Sequence, residues 1–332
     1  MKTQAVLFAG VDQIEVGQAV IPAPGVGEVI VETHFSCISP GTELRSLAGQ
    51  QAGSGPFPFV PGYQLSGVIV ETGAGVTLAV GTRVCCNGTE RISDRGRCWG
   101  GHISHAVVRE SAVLPVPGGV DLLDASMVKL AAIAYHGLRV SRPGPNEKVA
   151  VVGLGPLGQL SARLHAMTGA HVVVADVSAQ RVAFARQSGL DARLVEGSLL
   201  NTFREVFPDG ADLVVDVTGS ARVLPQSMEL VRVKPWDDSP ESGGRLLLQG
   251  SYPADFTLDY QECFRRELSL LLTRDQQPRD SRNVLDLLAR GKLRIRDIIT
   301  GLRPVAKAPD TYAELRAAKE ELLTVAFDWR RA

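Results

Sequence analysis

The residues with the clearest chemical purpose are Gly153-Leu154-Gly155-Pro156-Leu157-Gly158. They follow the apolar run Val149-Ala150-Val151-Val152 and open an amphipathic stretch. Glycines at this spacing, between a buried strand and a helix, suit a bound pyrophosphate. Gly153 permits the tight turn, Gly155 lets the phosphates approach the backbone, and Gly158 lets helix and strand pack closely. Pro156 and Leu157 begin the helix, whose N-terminus offers free N–H groups and the positive end of its dipole. A second apolar run, Val172-Val173-Val174-Ala175, ends in Asp176, 18 residues beyond Gly158. That is where a carboxylate binds an adenosine ribose. The chemistry implied is hydride transfer through a dinucleotide.

Asp176 favours NAD(H) over NADP(H). A carboxylate accepts hydrogen bonds from the 2′- and 3′-hydroxyls of the ribose, and it repels a 2′-phosphate. Arg181, one helical turn onward, is expected to flank the adenine. Flavin adenine dinucleotide suits the same glycine pattern, although that pattern usually lies near the N-terminus in flavin enzymes. Two further loops follow apolar strands: Thr218-Gly219-Ser220, and Gln249-Gly250-Ser251. Ligands of open parallel sheets bind at carboxyl strand ends. Thr218 is therefore expected near a ribose of the cofactor, and Gln249, Gly250 and Ser251 near the nicotinamide.

The elements that must hold these residues fall into two patterns. Residues 1 to about 118 carry short apolar or alternating runs: Ala5–Phe8, Gly27–Thr33, Gln64–Glu71, Thr82–Cys85 and His105–Val108. Gly and Pro separate them, as in a small, partly closed barrel. From about 119 the period becomes helical, with Asp124–Val140 reading as one helix stopped by Ser141-Arg142-Pro143-Gly144-Pro145. Strands at Lys148–Val152, His171–Asp176, Ala211–Val217 and Gly244–Gln249 then alternate with helices near Leu157–Thr168 and Ala179–Ser188. That alternation predicts an α/β domain with a doubly wound parallel sheet. Leu268–Thr273 reads as a further strand. Helices are expected at Asp280–Arg290 and Thr311–Glu321, and a last strand at Leu322–Phe327. The polar stretch Lys234–Gly243 is long for a connection into a buried strand. The expected division is residues 1–120, completed by 275–332, against 121–274.

Composition narrows the classes. The 332 residues carry 35 Lys and Arg against 36 Asp and Glu, a net charge of −1. Nothing in that balance points to nucleic acid or an anionic membrane as partner. No apolar run reaches the roughly 18–20 residues of a spanning helix. The N-terminal MKTQAVLFAGVDQIEV lacks the apolar core of a signal peptide and reads as the first strand of a cytoplasmic protein. Five cysteines, two of them adjacent, read as free thiols.

The chain resembles the medium-chain dehydrogenase/reductase superfamily over essentially its whole length. The resemblance rests on Ser36-Cys37-Ile38-Ser39-Pro40-Gly41-Thr42-Glu43, Val60-Pro61-Gly62-Tyr63, Gly67–Gly73, Gly100–His105 and the glycine fingerprint beginning at residue 153. The first of these stretches is most similar to a branch that includes bacteriochlorophyllide hydroxyethyl dehydrogenase-like proteins. The resemblance implies a GroES-like catalytic domain, a Rossmann cofactor domain, interconversion of an alcohol and a ketone, and a homodimer.

Members of that superfamily that use zinc bind it with Cys, His and a further Cys or acid. At the matching positions this sequence has Ser39 or Pro40, Tyr63 and Lys129. Gly62-Tyr63-Gln64 stands where Gly-His-Glu is expected. Ser, Tyr and Lys are not a zinc set, and Cys85, Cys86 and Cys98 do not make a structural-zinc lobe. No zinc is expected. His102 and His105 read as ordinary histidines on opposite faces of a strand.

A carbonyl without a metal needs a proton or a strong hydrogen bond at its developing alkoxide. Tyr63 and Lys129 are the candidates, because a nearby ammonium favours the phenolate. Alternatively, Lys129 transfers the proton itself. Glu43 is expected to pair with Lys129, and the resemblance gives Thr42 a relay to solvent. Arg45 and His136 are further candidates. The polar set Ser39, Glu43, Arg45, Tyr63 and Lys129 points to a hydroxylated substrate, such as a sugar, cyclitol or aminoglycoside ketone. Two other readings stay open: an enone or quinone reductase of the same fold, and a non-catalytic NAD-binding sensor.

Overall fold

A computed structural model describes residues 1–51, 54–237, 242–252, 255–317 and 322–331. In chain order the first elements are β1 (Lys2–Gly10), β2 (Gln13–Val20), β3 (Glu28–Cys37), α1 (Pro40–Leu47), β4 (Phe59–Val60) and β5 (Leu65–Thr72). Next come β6 (Arg83–Cys86), β7 (Gly96–Arg97), β8 (His105–Arg109), β9 (Leu114–Pro115), α2 (Leu122–Ala125) and α3 (Val128–Ser141). The alternating part runs β10 (Lys148–Val152), α4 (Pro156–Ala166), β11 (His171–Asp176), α5 (Ala179–Gln187), β12 (Asp191–Leu194), α6 (Leu199–Arg204) and β13 (Leu213–Asp216). It continues with α7 (Leu224–Glu229), β14 (Arg245–Leu248), α8 (Tyr260–Arg265) and β15 (Ser269–Leu272). The chain closes with α9 (Pro278–Ala289), β16 (Ile299–Pro304), α10 (Ala308–Ala317) and β17 (Thr324–Asp328).

Two compact units result: Met1–Leu130 with Ser281–Ala332, and Ala131–Asp280. The first holds a four-stranded sheet, β2-β1-β4-β7, and a seven-stranded one, β16-β17-β3-β5-β6-β9 with β8 paired to β3. The C-terminal strand β17 lies antiparallel to β3, Ala326 opposite Cys37. The return of the chain thus buries the end of the strand that leads into α1. One core gathers Val29, Val31, Leu65, Ile69 and Val107. Another gathers Phe8, Ile38, Phe59, Tyr312 and Phe327.

The second unit is one all-parallel sheet in the order β12-β11-β10-β13-β14-β15. Its strands are apolar on both faces because both are covered. Val149, Val151, Val174, Val215 and Leu247 pack on one side. Ala150, Val152, Val173, Val214, Leu246 and Leu248 pack on the other. This is a Rossmann-type doubly wound domain, joined to a GroES-like β-rich one.

Several elements differ from the sequence expectation. Asp124–Val140 is not one helix: α2 is capped by the Asp121 carboxylate, which accepts from Leu123 N at 2.7 Å. It ends where Ser126 Oγ donates back to Leu123 O at 2.7 Å, and α3 starts afresh at Val128. The stretch Pro40–Leu47 is a helix. His102 precedes β8 and is fully buried; only His105 is on the strand. Asp238–Glu241 of the long polar loop lie outside the described residues, as do 318–321 at the end of the expected helix Thr311–Glu321.

Candidate active site

Helix α1 begins at a Ser-Pro pair. Pro40 takes the first helical position, where a missing N–H costs nothing. Ser39 is the N-cap residue, yet its hydroxyl makes no capping bond. That oxygen instead accepts from the Tyr63 hydroxyl at 2.5 Å, and both residues are buried. The Glu43 carboxylate reaches back to fill the gap at the helix start, Oε1 accepting from Ser39 N at 2.7 Å. Gly62 must be glycine. Its φ is +86°, and a Cβ there would sit 2.7 Å from the His102 ring.

Glu43 is not turned toward Lys129. Its second oxygen accepts from His102 Nε2 at 2.8 Å and from the Tyr312 hydroxyl. Burial and the adjacent carboxylate push the Tyr312 phenol well above its usual range, so it remains a donor. Behind His102, Trp329 Nε1 donates to Ser36 Oγ at 2.8 Å, and Ser36 Oγ lies 2.8 Å from His102 Nδ1. One arrangement satisfies every atom: Ser36 donates to Nδ1, and Nε2–H donates to Glu43. Glu43 is thus the hub of a buried network that ties α1 to α10 and to the C-terminus, and the expected Glu43–Lys129 pair is corrected.

Arg45 is a cation beside Tyr63. Burial pulls the Arg45 guanidinium down from its usual range, and the Tyr63 phenol pushes it back up. Arg45 Nε also donates to Gln51 Oε1 at 3.3 Å. The Tyr63 ring meets Trp99 edge-on, centroids 5.6 Å apart. Thr42, half-buried, lies in the first turn of α1, and Lys129, half-buried, in the first turn of α3. Gln64, which stands where the resemblance expects the Glu of Gly-His-Glu, is a fastener. Its Nε2 donates to Cys37 O at 3.2 Å and its Oε1 accepts from Leu130 N at 3.1 Å. It thereby satisfies one of the orphan N–H groups at the start of α3. The Cys37 thiol faces Thr324 Oγ1 at 3.5 Å, and burial pushes it up to about 12, so it is no thiolate. Among the described residues no group of three or more His, Cys, Asp and Glu side chains could hold a metal ion. The five cysteines are free.

His136, the other sequence candidate, belongs to the second unit. There its Nδ1 lies 3.0 Å from the buried Asp280, which also binds Arg139 at 2.5 Å. It is a strut between α3 and α9.

The glycine loop of the second unit has the shape the fingerprint predicts. Gly153 has φ +98°. A Cβ on Gly158 would lie 1.9 Å from Gly153 O, so α4 can sit this close to β10 only with glycine there. A Cβ on Gly155 would meet nothing within 4 Å. That side of the loop is an open cradle at the N-terminus of α4, with Pro156 and Leu157 as its first helical residues. Asp176 is oriented by two backbone donors, Leu154 N at 2.7 Å and Ser178 N at 2.9 Å. Arg181 lies 3.6 Å from the same carboxylate, so it is an ion-pair partner of Asp176. Thr218 donates to the buried Asp216 at 2.7 Å. Gly250 packs so tightly that a Cβ would stand 2.5 Å from Gly219 N, with Ser251 O next to Gly219 in turn. An anion-binding helix end, a backbone that phosphates can approach and a fixed carboxylate one strand away suit a dinucleotide.

The sequences of known families decide the affiliation. The alcohol dehydrogenase GroES-like domain family matches residues 25–118, and the zinc-binding dehydrogenase family matches residues 156–290. The chain belongs to the medium-chain, zinc-type alcohol dehydrogenase superfamily. It is an NAD(P)-dependent oxidoreductase of that type. The L-galactonate-5-dehydrogenase of Escherichia coli (strain K12) is 28% identical over 326 residues, covering 89% of this chain and 90% of that one. The 2-desacetyl-2-hydroxyethyl bacteriochlorophyllide A dehydrogenase of Cereibacter sphaeroides is 26% identical over 342 residues, covering 99% of each. An Escherichia coli CFT073 alcohol dehydrogenase solved with NADH superposes with a TM-score of 0.85 at 22% identity, covering 99% of both chains. At that identity the superposition speaks for the fold. The family relationship sets aside the non-catalytic sensor reading. Among the described residues of this dehydrogenase, no helix is long and apolar enough to cross a membrane.

Proposed function

We propose that this dehydrogenase interconverts a secondary alcohol and a ketone on a polar small molecule, such as a sugar, cyclitol or aminoglycoside, with NAD(H) and without zinc. The observation that carries the reading is the 2.5 Å hydrogen bond from Tyr63 to Ser39 beside the Arg45 guanidinium. A phenol, an alcohol and an ammonium (Tyr63, Ser39 and Lys129) stand where zinc would need thiolate, imidazole or carboxylate. Each is already engaged with its neighbours in the protein. The bound cofactor supplies the hydride, or accepts it in the reverse direction. The protein must then give a proton to the oxygen that becomes an alkoxide. Tyr63 is the donor, and Ser39 holds its hydroxyl in place. Positive charge at Arg45 stabilises the anion that Tyr63 leaves behind. Lys129 adds a second cation, and Thr42 returns the proton from solvent. Asp176, held by two backbone N–H groups, selects the ribose diol over a 2′-phosphate. An L-galactonate dehydrogenase among the relatives is consistent with a hydroxylated substrate.

The test is metal analysis of the purified enzyme alongside an oxidation panel of polyols, sugar acids and cyclitols with NAD+, with enones assayed for reduction. The expected result is activity that does not track zinc, and a loss of about 10²–10⁴ in turnover for Tyr63→Phe at little change in KM. One zinc per chain with proportional activity, or an unaffected Tyr63→Phe variant, overturns the proposal. Reduction of enones alone transfers it to the enone reductase reading.

A further inference from the structure

Gln249 lies at the carboxyl end of β14 and is only 5% exposed. One end of its side-chain amide faces two helical carbonyls of α3, Ile133 O at 3.0 Å and Ala134 O at 3.2 Å. Two acceptors at one atom require that atom to be the NH2 group, which settles the amide's orientation. The other end, Oε1, is therefore a carbonyl oxygen, and it is buried with no hydrogen-bond partner among the described residues. The side chain is also seated by design. A Cβ at position 137 would lie 1.9 Å from Gln249 Nε2, so Gly137 makes the notch in α3 that admits it. A buried acceptor without a donor is costly, and here it is held rigidly at the ligand-binding end of the sheet.

The sheet order says what reaches it. Asp176 ends β11, the glycine loop ends β10, Thr218 follows β13, and Gln249 follows β14, in that spatial sequence. Strands lie about 4.8 Å apart, so Asp176 and Gln249 are separated by three spacings, roughly 14 Å. A dinucleotide with its adenosine ribose at β11 and its pyrophosphate at β10 must carry its other end over β13 and β14. The nicotinamide carboxamide presents an NH2 group with two donors.

We propose that Gln249 Oε1 accepts a hydrogen bond from the carboxamide NH2 of the nicotinamide, making Gln249 the residue that sets the ring's orientation. This rests on the dinucleotide reading of the second unit. It separates the carboxamide from the rest of the cofactor, and binding alone can test it. The full-length enzyme is titrated with NADH, with the reduced 3-acetylpyridine analogue, which has a methyl ketone in place of the amide, and with ADP-ribose. The wild-type enzyme should bind NADH about tenfold more tightly than the analogue. Gln249→Leu should bind the two equally, with ADP-ribose affinity unchanged. Equal binding of NADH and the analogue by wild type overturns the proposal, and that measurement needs no variant to fold. So does tenfold discrimination that persists in Gln249→Leu. So does a parallel loss of ADP-ribose affinity, which would make Gln249 a strut for α3 only. Failure of the wild type to bind ADP-ribose or NADH would instead remove the dinucleotide reading itself.

Discussion

Glu43 stands among residues that read as catalytic, yet its surroundings make it a structural anchor, and the difference is measurable. Replacing Glu43 by Ala leaves three buried donors without an acceptor: Ser39 N, His102 Nε2 and the Tyr312 hydroxyl. Each orphaned buried donor costs about 1–3 kcal/mol, so the network loses roughly 3–9 kcal/mol. Against a typical stability of about 5–15 kcal/mol that is a large share. In a unit of this size each kcal/mol lowers Tm by about 2–4 °C, so the transition should fall by about 6 °C at the least. Glu43→Gln keeps one acceptor oxygen but turns an NH2 group toward a donor, and should cost somewhat less than Ala. Differential scanning calorimetry measures both, with Thr42→Val as the neighbouring control that should change little. Coupling gives a second, sharper test. Glu43→Ala combined with Tyr312→Phe should destabilise by at least about 1 kcal/mol less than the two single changes added, because both remove the same contact. A Glu43→Ala enzyme that melts within about 2 °C of wild type, or strict additivity with Tyr312→Phe, would refute the network reading. It would return Glu43 to the proton chemistry.

Two further outcomes follow from the second unit. Gly155→Ala should fold with Tm within about 2 °C of wild type, because nothing stands within 4 Å of the added methyl. It should nevertheless weaken NADH binding at least tenfold by filling the pyrophosphate cradle. Gly158→Ala places its methyl 1.9 Å from Gly153 O and should lower Tm and binding together; fluorescence titration with thermal melts separates the two behaviours. His165 is fully buried, and burial lowers its pKa to about 4 against 6.5 when unfolded. The unfolded chain then takes up a proton that the folded one refuses. Stability is whole above pH 6.5 and falls as pH drops toward 4, by roughly 3 kcal/mol in all. His165→Asn should show a shallower pH dependence of urea midpoints over that window than wild type, and an identical slope would contradict the assignment.

What could be read in advance follows from how local each signal is. Lys148–Val152 and His171–Asp176 are strands at the residues expected, because strands buried on both faces spell uninterrupted apolar runs. The glycine loop was legible because its spacing is local, with Gly153 at a positive φ and Gly158 packed against Gly153 O five residues back. Helix α1 starts at a Ser-Pro pair, and Pro at the first helical position is a helix signal in its own right. The partners of Glu43 were not legible. His102 is 59 residues away and Tyr312 is 269 away, brought in when β17 returns to pair with β3. A carboxylate on a short helix looks the same in sequence whether it meets a lysine, an imidazole or a substrate, and only the register of a strand from the far end of the chain decides. Arg45 rides on the same short helix as Glu43, and its guanidinium interacts with the Tyr63 phenol. Spacing along the chain brings out Ser39, Glu43 and Tyr63, whereas the buried partners of Glu43 come from elements that a later strand pulls into place.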